Sequence, residues 1–149
     1  MRQEVGHFLI SRLILSTMGS PEEQVYKFDF YLEPVPYTRV GYNRYGKAYI
    51  PAKESRFREN IKLLAKSQFK STPLTEALKV TLVFDFEKGP YSRMKKYVVK
   101  RPDIDNLSKS IFDSLNKIVW QDDSQIVEVH AYKIFGDKPF IRMDVEVLK

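Results

Sequence analysis

The chain contains no cysteine. Disulfides, zinc–thiolate sites and thiol nucleophiles are therefore excluded. Histidine is almost as scarce: His7 and His130 are the two present, too few to build a zinc site or a histidine-dependent nuclease motif. No hydrophobic run approaches the roughly 20 residues needed to cross a bilayer. Phe8-Leu9-Ile10 and Leu13-Ile14-Leu15 are split by Arg12 and preceded by Glu4, unlike the unbroken apolar core of a signal peptide. A cytoplasmic protein with no membrane partner is the expectation. Internal repeats, low-complexity tracts and interdomain linkers are also missing. Residues 25–149 read as one domain, preceded by a peripheral extension over residues 1–24. The chemical means left to the chain are carboxylates, lysines and a hard metal ion.

Of the 149 residues, 43% are hydrophobic, and 25 Lys and Arg face 19 Asp and Glu for a net charge of +6. The first figure suffices for a packed core. The second favours a polyanionic partner, although an ordinary basic soluble protein would show the same balance.

Alternation over Tyr26 to Leu32, Leu78 to Phe86, Gln125 to Lys133 and Phe140 to Leu148 predicts four strands. In the second, Leu78, Val80, Leu82, Phe84 and Phe86 share one face, with Lys79, Thr81, Val83 and Asp85 on the other; in the fourth, Ile141, Met143, Val145 and Val147 face the core. The turn Gly136-Asp137-Lys138-Pro139 predicts an antiparallel hairpin of the last two strands. A first helix is expected from a Ser55 cap to about Phe69, with Phe57, Ile61, Leu64 and Gln68 on one face. A second is expected over about 106–119. The fold class is α+β, a mixed sheet of about four strands packed with two main helices. Trp120 and Phe57 read as core, and His130 as a structural strand residue.

The most informative stretch is Pro102-Asp103-Ile104-Asp105-Asn106-Leu107, followed by Lys109, Asp113 and Asp122-Asp123. At about 100° per residue, Asp105, Lys109, Asp113 and Asn116 share one side of the second helix, opposite Leu107, Ile111, Leu115 and Ile118. Asp103 and Asp105 point the same way in an extended approach to the helix and could grip one metal ion between them. Mg²⁺ takes oxygen ligands and serves phosphodiester chemistry, and Lys109 could hold or offset phosphate charge. Asp122-Asp123 falls at the far end of a helix about 20 Å long, so its approach to Asp105 does not follow from spacing. Each residue also has a structural reading: Asp105 as helix cap, Lys109 as its i,i+4 partner, Asp113 as a solvated residue, Asp122-Asp123 as turn residues.

Two basic segments are candidate DNA contacts. Residues 37–49 carry Arg39, Arg44 and Lys47 among tyrosines able to stack on bases, and residues 87–101 carry Arg93, Lys95, Lys96, Lys100 and Arg101. Solubility is the alternative reading for any one of these lysines.

The run Arg101 to Ile126 resembles the signature of the RusA family of Holliday junction resolvases, D-[LI]-D-N-L-x-K-x-x-x-D-x-L and then D-D-x-Q entering a strand. Every fixed position is present. The likeness continues more weakly from about Val25 to Lys149, including Gly46 to Tyr49, and leaves residues 1–24 unmatched. The resemblance implies a Mg²⁺-dependent endonuclease, with Mn²⁺ as a substitute, that acts on branched DNA as a homodimer. It implies Asp103, Asp105 and Asp123 as catalytic metal ligands, Lys109 as the functional lysine, and Asp113 and Asp122 in support. Two copies about a two-fold axis would supply the paired nicks that a four-way junction requires.

Two other readings stand beside it. One is a metal nuclease acting on flaps or other branched DNA. The restriction-type signature is not completed, because no suitable Asp/Glu-x-Lys follows Pro102-Asp103. The other is a basic DNA-binding module whose acids are caps and turns. Joint placement of Asp103, Asp105, Lys109 and Asp123 argues against it, since a binding module has no use for carboxylates against phosphate.

Overall fold

The computed structural model describes residues 24–149; the expected extension over residues 1–24 lies almost wholly outside them. The element order is β1 (Val25–Phe30), β2 (Gly41–Tyr42), β3 (Ala48–Tyr49), α1 (Ala52–Gln68), β4 (Ala77–Glu87), α2 (Ile104–Leu115), a single 3₁₀ turn (Asp123–Gln125), β5 (Ile126–Gly136) and β6 (Phe140–Leu148). The main sheet has the order β1-β6-β4-β5, and β2 and β3 form a separate small hairpin. This is the α+β architecture expected: a mixed four-stranded sheet with two helices.

The expected hairpin of the last two strands does not form. β5 pairs with β4 in parallel, whereas β6 lies antiparallel between β4 and β1. The short connection at 137–139 therefore carries the chain across the end of β4. Burial explains the choice. Ile141, Met143 and Val145 are fully buried and demand a central strand, whereas Val127, Val129 and Tyr132 of β5 are largely exposed and suit an edge. β4, α2 and β5 thus make a β-α-β crossover.

One core joins the sheet to the helices. Leu78, Val80, Leu82 and Phe84 of β4 meet Leu107, Ile111 and Leu115 of α2 and Phe57, Ile61 and Ala65 of α1, and Trp120 is buried with them. The other sheet face is polar, with Lys79 set 3.9 Å from both Glu128 and Glu146. His130 stays exposed beside Glu128 at 2.8 Å, outside the core.

Helix boundaries shift from those expected. α1 starts at Ala52 after Pro51, so Ser55 lies inside it and caps nothing. Pro51 supplies the fixed φ of a helix entrance and its carbonyl receives the Ser55 N–H. Gln68 is exposed rather than core-facing; its amide exchanges two hydrogen bonds with the Asp29 backbone, at 2.9 and 2.8 Å, and closes the free edge of β1. α2 spans Ile104 to Leu115 and stops before Asn116. Lys117 takes a left-handed backbone (φ 67°) that reverses the chain, and Asn116 leaves the helix to accept from the Trp120 indole at 2.9 Å. Asp103, not Asp105, stands at the N-cap, and no side chain caps the helix there.

Candidate active site

Along α2, the side facing away from Ile111 and Leu115 meets the exposed part of β5. A pocket of about 420 Å³ opens between them, lined by Asp105, Lys109, Asp113 and Asp123 together with Ile104, Ser108, Phe112, Val129 and Ala131. The helix carries acid, lysine and acid on successive turns because i, i+4 and i+8 share a face. Ser108 and Ser114 sit on the closely packed part of the helix, and both return their hydroxyls to the carbonyl four residues back.

Asp123 reaches this groove by a specific route. After the reversal at Lys117, the Val119 carbonyl accepts from the Leu74 N–H at 2.8 Å, and the Gln121 N–H donates to the Leu74 carbonyl at 3.0 Å. This lays the chain beside the entrance to β4. The D-D-x-Q residues then divide the work. Asp122 accepts from the Ser124 N–H at 3.1 Å, and the Gln125 side chain accepts from the Asp122 N–H at 2.8 Å, forming a capping box. The Gln125 amide also donates to the carbonyls of Leu74 at 2.8 Å and Glu76 at 3.0 Å. Asp122 is thus occupied in the turn, which holds its carboxyl below the usual aspartate range through bonding with Ser124. Asp123 is left free to face the groove.

There it acts on Asp113. The Asp113 carboxyl is pushed above the ordinary aspartate range, first by burial and then by the charge of Asp123 and a hydrogen bond with it; Lys109 and, more weakly, Arg58 pull the other way. Two carboxylates facing one another favour a cation between them. Asp105 sits at the other end of the groove, about 12 Å from Asp113 along the helix axis by the rise of 1.5 Å per residue. Its carboxylate accepts from the Asn106 N–H at 2.9 Å. Asp103 is exposed and does not line the pocket. Among the described residues, no three His, Asp or Glu side chains are gathered as a ready metal cage. The donor chemistry nevertheless suits Mg²⁺, which is commonly held by one or two carboxylates with water and substrate phosphate completing the shell.

The chain leading to Asp103 is fixed by Lys133 of β5, which sequence reasoning passed over. Its ammonium donates to the carbonyls of Lys100 and Pro102, both at 2.7 Å. Upstream, the Val98 N–H donates to the Lys133 carbonyl and the Phe135 N–H to the Lys96 carbonyl. The Arg101–Pro102 peptide is cis.

Arg93, Lys95, Lys96, Lys100 and Arg101 are all exposed on this approach to the groove. Arg39, Arg44 and Lys47 are exposed around the β2–β3 hairpin, whose turn is closed by Asn43 accepting from the N–H groups of Tyr45 and Lys47, each at 2.9 Å. Gly46 supplies the positive φ of that turn, and Gly41 leaves the space that the Tyr49 ring occupies.

A second residue escaped sequence reasoning: Glu54, a buried carboxylate on α1. It accepts from the Thr38 N–H at 3.1 Å, from the Thr38 hydroxyl, and from Arg58 at 2.6 Å. The signal was available, because Glu54 falls in the 54, 57, 61, 65 stripe otherwise made of Phe57, Ile61 and Ala65.

A β-α-β crossover whose helix and edge strand enclose acids and a lysine, flanked by basic loops, has the donors for a hard cation and the charge for a phosphate polyanion. Comparison with known proteins makes the assignment specific. The chain belongs to the RusA family: the family model described as Endodeoxyribonuclease RusA matches residues 32–147, nearly the whole described fold. A protein of Bacillus subtilis (strain 168) named "Uncharacterized protein YqaN" is 30% identical over 131 residues, covering 78% of this chain and 92% of that protein. The "Crossover junction endodeoxyribonuclease rusA" of Lactococcus phage r1t is 33% identical over 69 residues, covering 46% of this chain and 53% of the phage protein.

Proposed function

We propose that this chain is a divalent-cation-dependent endonuclease that resolves four-way DNA junctions by paired, symmetric nicks during recombination and repair. The observation that carries this reading is the convergence of Asp105, Lys109, Asp113 and Asp123 on one groove in a chain of the endodeoxyribonuclease family. Asp105 at one end of the groove and Asp123 at the other, with Asp113 beside it, are assigned as ion ligands rather than as partners on a single ion within one chain. Asp103, whose carboxylate is not used as a cap, is retained as a further ligand at the groove's entrance. Mg²⁺ bound there, or Mn²⁺ in its place, would activate water and neutralise charge on the phosphodiester. The reaction adds water across one P–O bond, leaving a phosphate monoester on one strand end and a hydroxyl on the other.

The protein's own groups do the remaining work. Lys109 offers an ammonium to the phosphate oxygen on which charge grows. Asp113 and Asp123 provide the proton-accepting and cation-holding end of the groove. The exposed arginines and lysines of residues 39–47 and 93–101 hold phosphates on either side, giving salt-sensitive affinity without sequence readout. Asp122 and Gln125 keep Asp123 in place.

Among the described residues each chain carries one such acidic groove, and a four-way junction has two-fold symmetry, so two copies would supply two matched cuts. The edge strand β5 leaves Val127 and Val129 exposed beside the groove, the kind of apolar edge to which a second copy adds.

The test is incubation with a synthetic four-way junction, a flap and plain duplex, with Mg²⁺ or with EDTA. Symmetric paired nicks on the junction that require Mg²⁺ are expected. Preference for the flap would move the assignment to another structure-selective nuclease. Tight binding with no cation-dependent cleavage would reduce the chain to a binding module.

A further inference from the structure

Resting on that reading, we propose that Tyr37 is a positioning residue for Lys109, and that the buried Glu54 is the anchor that holds Tyr37 in place. The Lys109 ammonium lies 4.6 Å from the centroid of the Tyr37 ring. The Arg58 guanidinium lies 5.4 Å from the same centroid. A cation over an aromatic ring is attracted by the ring's quadrupole without surrendering its own N–H donors. That distinguishes this contact from a salt bridge. An Asp or Glu partner would neutralise the ammonium that phosphate must find, whereas a ring restrains it and leaves its charge intact.

The ring is itself restrained. The Tyr37 N–H donates to the Asn106 carbonyl on α2 at 2.9 Å, tying the segment to the same helix that carries Lys109. The next residue, Thr38, is gripped at both its N–H and its hydroxyl by Glu54. Glu54 is 1% exposed, and its other oxygen receives Arg58 at 2.6 Å. One carboxylate therefore fixes both the backbone that presents the ring and the second cation beside it. A buried charge is costly unless it is paired and hydrogen-bonded, and among the described residues the bonds Glu54 makes go to Thr38, which follows Tyr37, and to Arg58. Lys109 and Arg58 both act on Asp113, so the ring sits where the cationic and acidic parts of the groove meet. Exposed lysines otherwise sample many rotamers, and fixing one in advance removes an ordering cost from the reaction.

The test is a double-mutant cycle in single-turnover junction nicking, with junction affinity and melting temperature measured for each protein. Tyr37→Leu should slow nicking by roughly three- to ten-fold, the size of a partly exposed cation–ring contact, with affinity unchanged within about two-fold by the same argument. Tyr37→Phe keeps the ring and should restore the rate. In a Lys109→Ala background, Tyr37→Leu should add nothing. A rate loss that persists in that background, a Phe variant as slow as Leu, or a loss confined to affinity would each overturn the proposal, the last by making Tyr37 a DNA-stacking residue. If Tyr37→Leu unfolds the protein, Glu54→Gln, which keeps shape and loses charge, takes its place in the same cycle. Absence of any cation-dependent nicking by the unmodified chain would refute the nuclease reading itself, a result distinct from all of these.

Discussion

Replacing Gln125 separates the turn that delivers Asp123 from the rest of the fold. Its side chain makes three hydrogen bonds: two donated to the Leu74 and Glu76 carbonyls and one accepted from the Asp122 N–H, at 2.8, 3.0 and 2.8 Å. Each is worth about 1 kcal/mol net. The site is only partly buried, so water recovers some of the loss, and Gln125→Ala should cost about 1–2 kcal/mol. For a domain of this size that lowers the melting temperature by roughly 4–8 °C. Gln125→Glu is the sharper variant. It keeps the acceptor for Asp122 but turns a carboxylate onto two carbonyl oxygens, and should cost more than alanine despite its similar shape. Urea unfolding gives the stability. Single-turnover nicking well below the melting temperature gives the function, where misplacement of Asp123 should slow cleavage by about ten-fold or more. A variant destabilised as expected but nicking at the wild-type rate would show that the Asp122–Gln125 turn does not position Asp123.

The raised acid at Asp113 has a signed consequence. Its folded-state value lies above the unfolded one, so the native state binds the proton more tightly. Stability is then lost as pH rises from the unfolded value through the folded one, and the penalty is fully present at neutral pH. Without divalent cation, Asp113→Asn should therefore melt above wild type at pH 7, with the gap closing toward acid. Mg²⁺ should stabilise wild type more than the variant. A gap that widens as pH falls would refute the assignment. Lys133→Met removes two bonds to the Lys100 and Pro102 carbonyls and should cost about 2 kcal/mol, the size of hydrogen bonds from a charged donor. Amide exchange should rise over residues 98–103 and nicking should fall; unchanged exchange there would show that the clip is idle.

The faces of α2 and the alternation of β4 and β6 were legible because burial imposes a period that the residues carry. Strand partners were not. The short turn after Gly136 favoured a local hairpin, but which strand lies in the middle depends on the whole sheet: Ile141, Met143 and Val145 needed two neighbours, and β5, with Glu128 and His130 on its open side, did not. In the groove, the i, i+4, i+8 row of Asp105, Lys109 and Asp113 could be read directly. The return of Asp123 could not, because it depends on a left-handed Lys117 and on backbone bonds to Leu74, a residue over forty positions earlier. The same route explains why Asp123 enters the groove at the Asp113 end, the question that spacing left open. Glu54 was overlooked because a carboxylate in an apolar stripe looks like noise until its partners Thr38 and Arg58 are placed.

Asp123→Asn, assayed for junction affinity without divalent cation and for single-turnover nicking with Mg²⁺, tests the central claim most directly. The groove account predicts affinity within about two-fold of wild type, since phosphate contacts come from the basic loops, and nicking slower by at least about 100-fold. Nicking at the wild-type rate would contradict it.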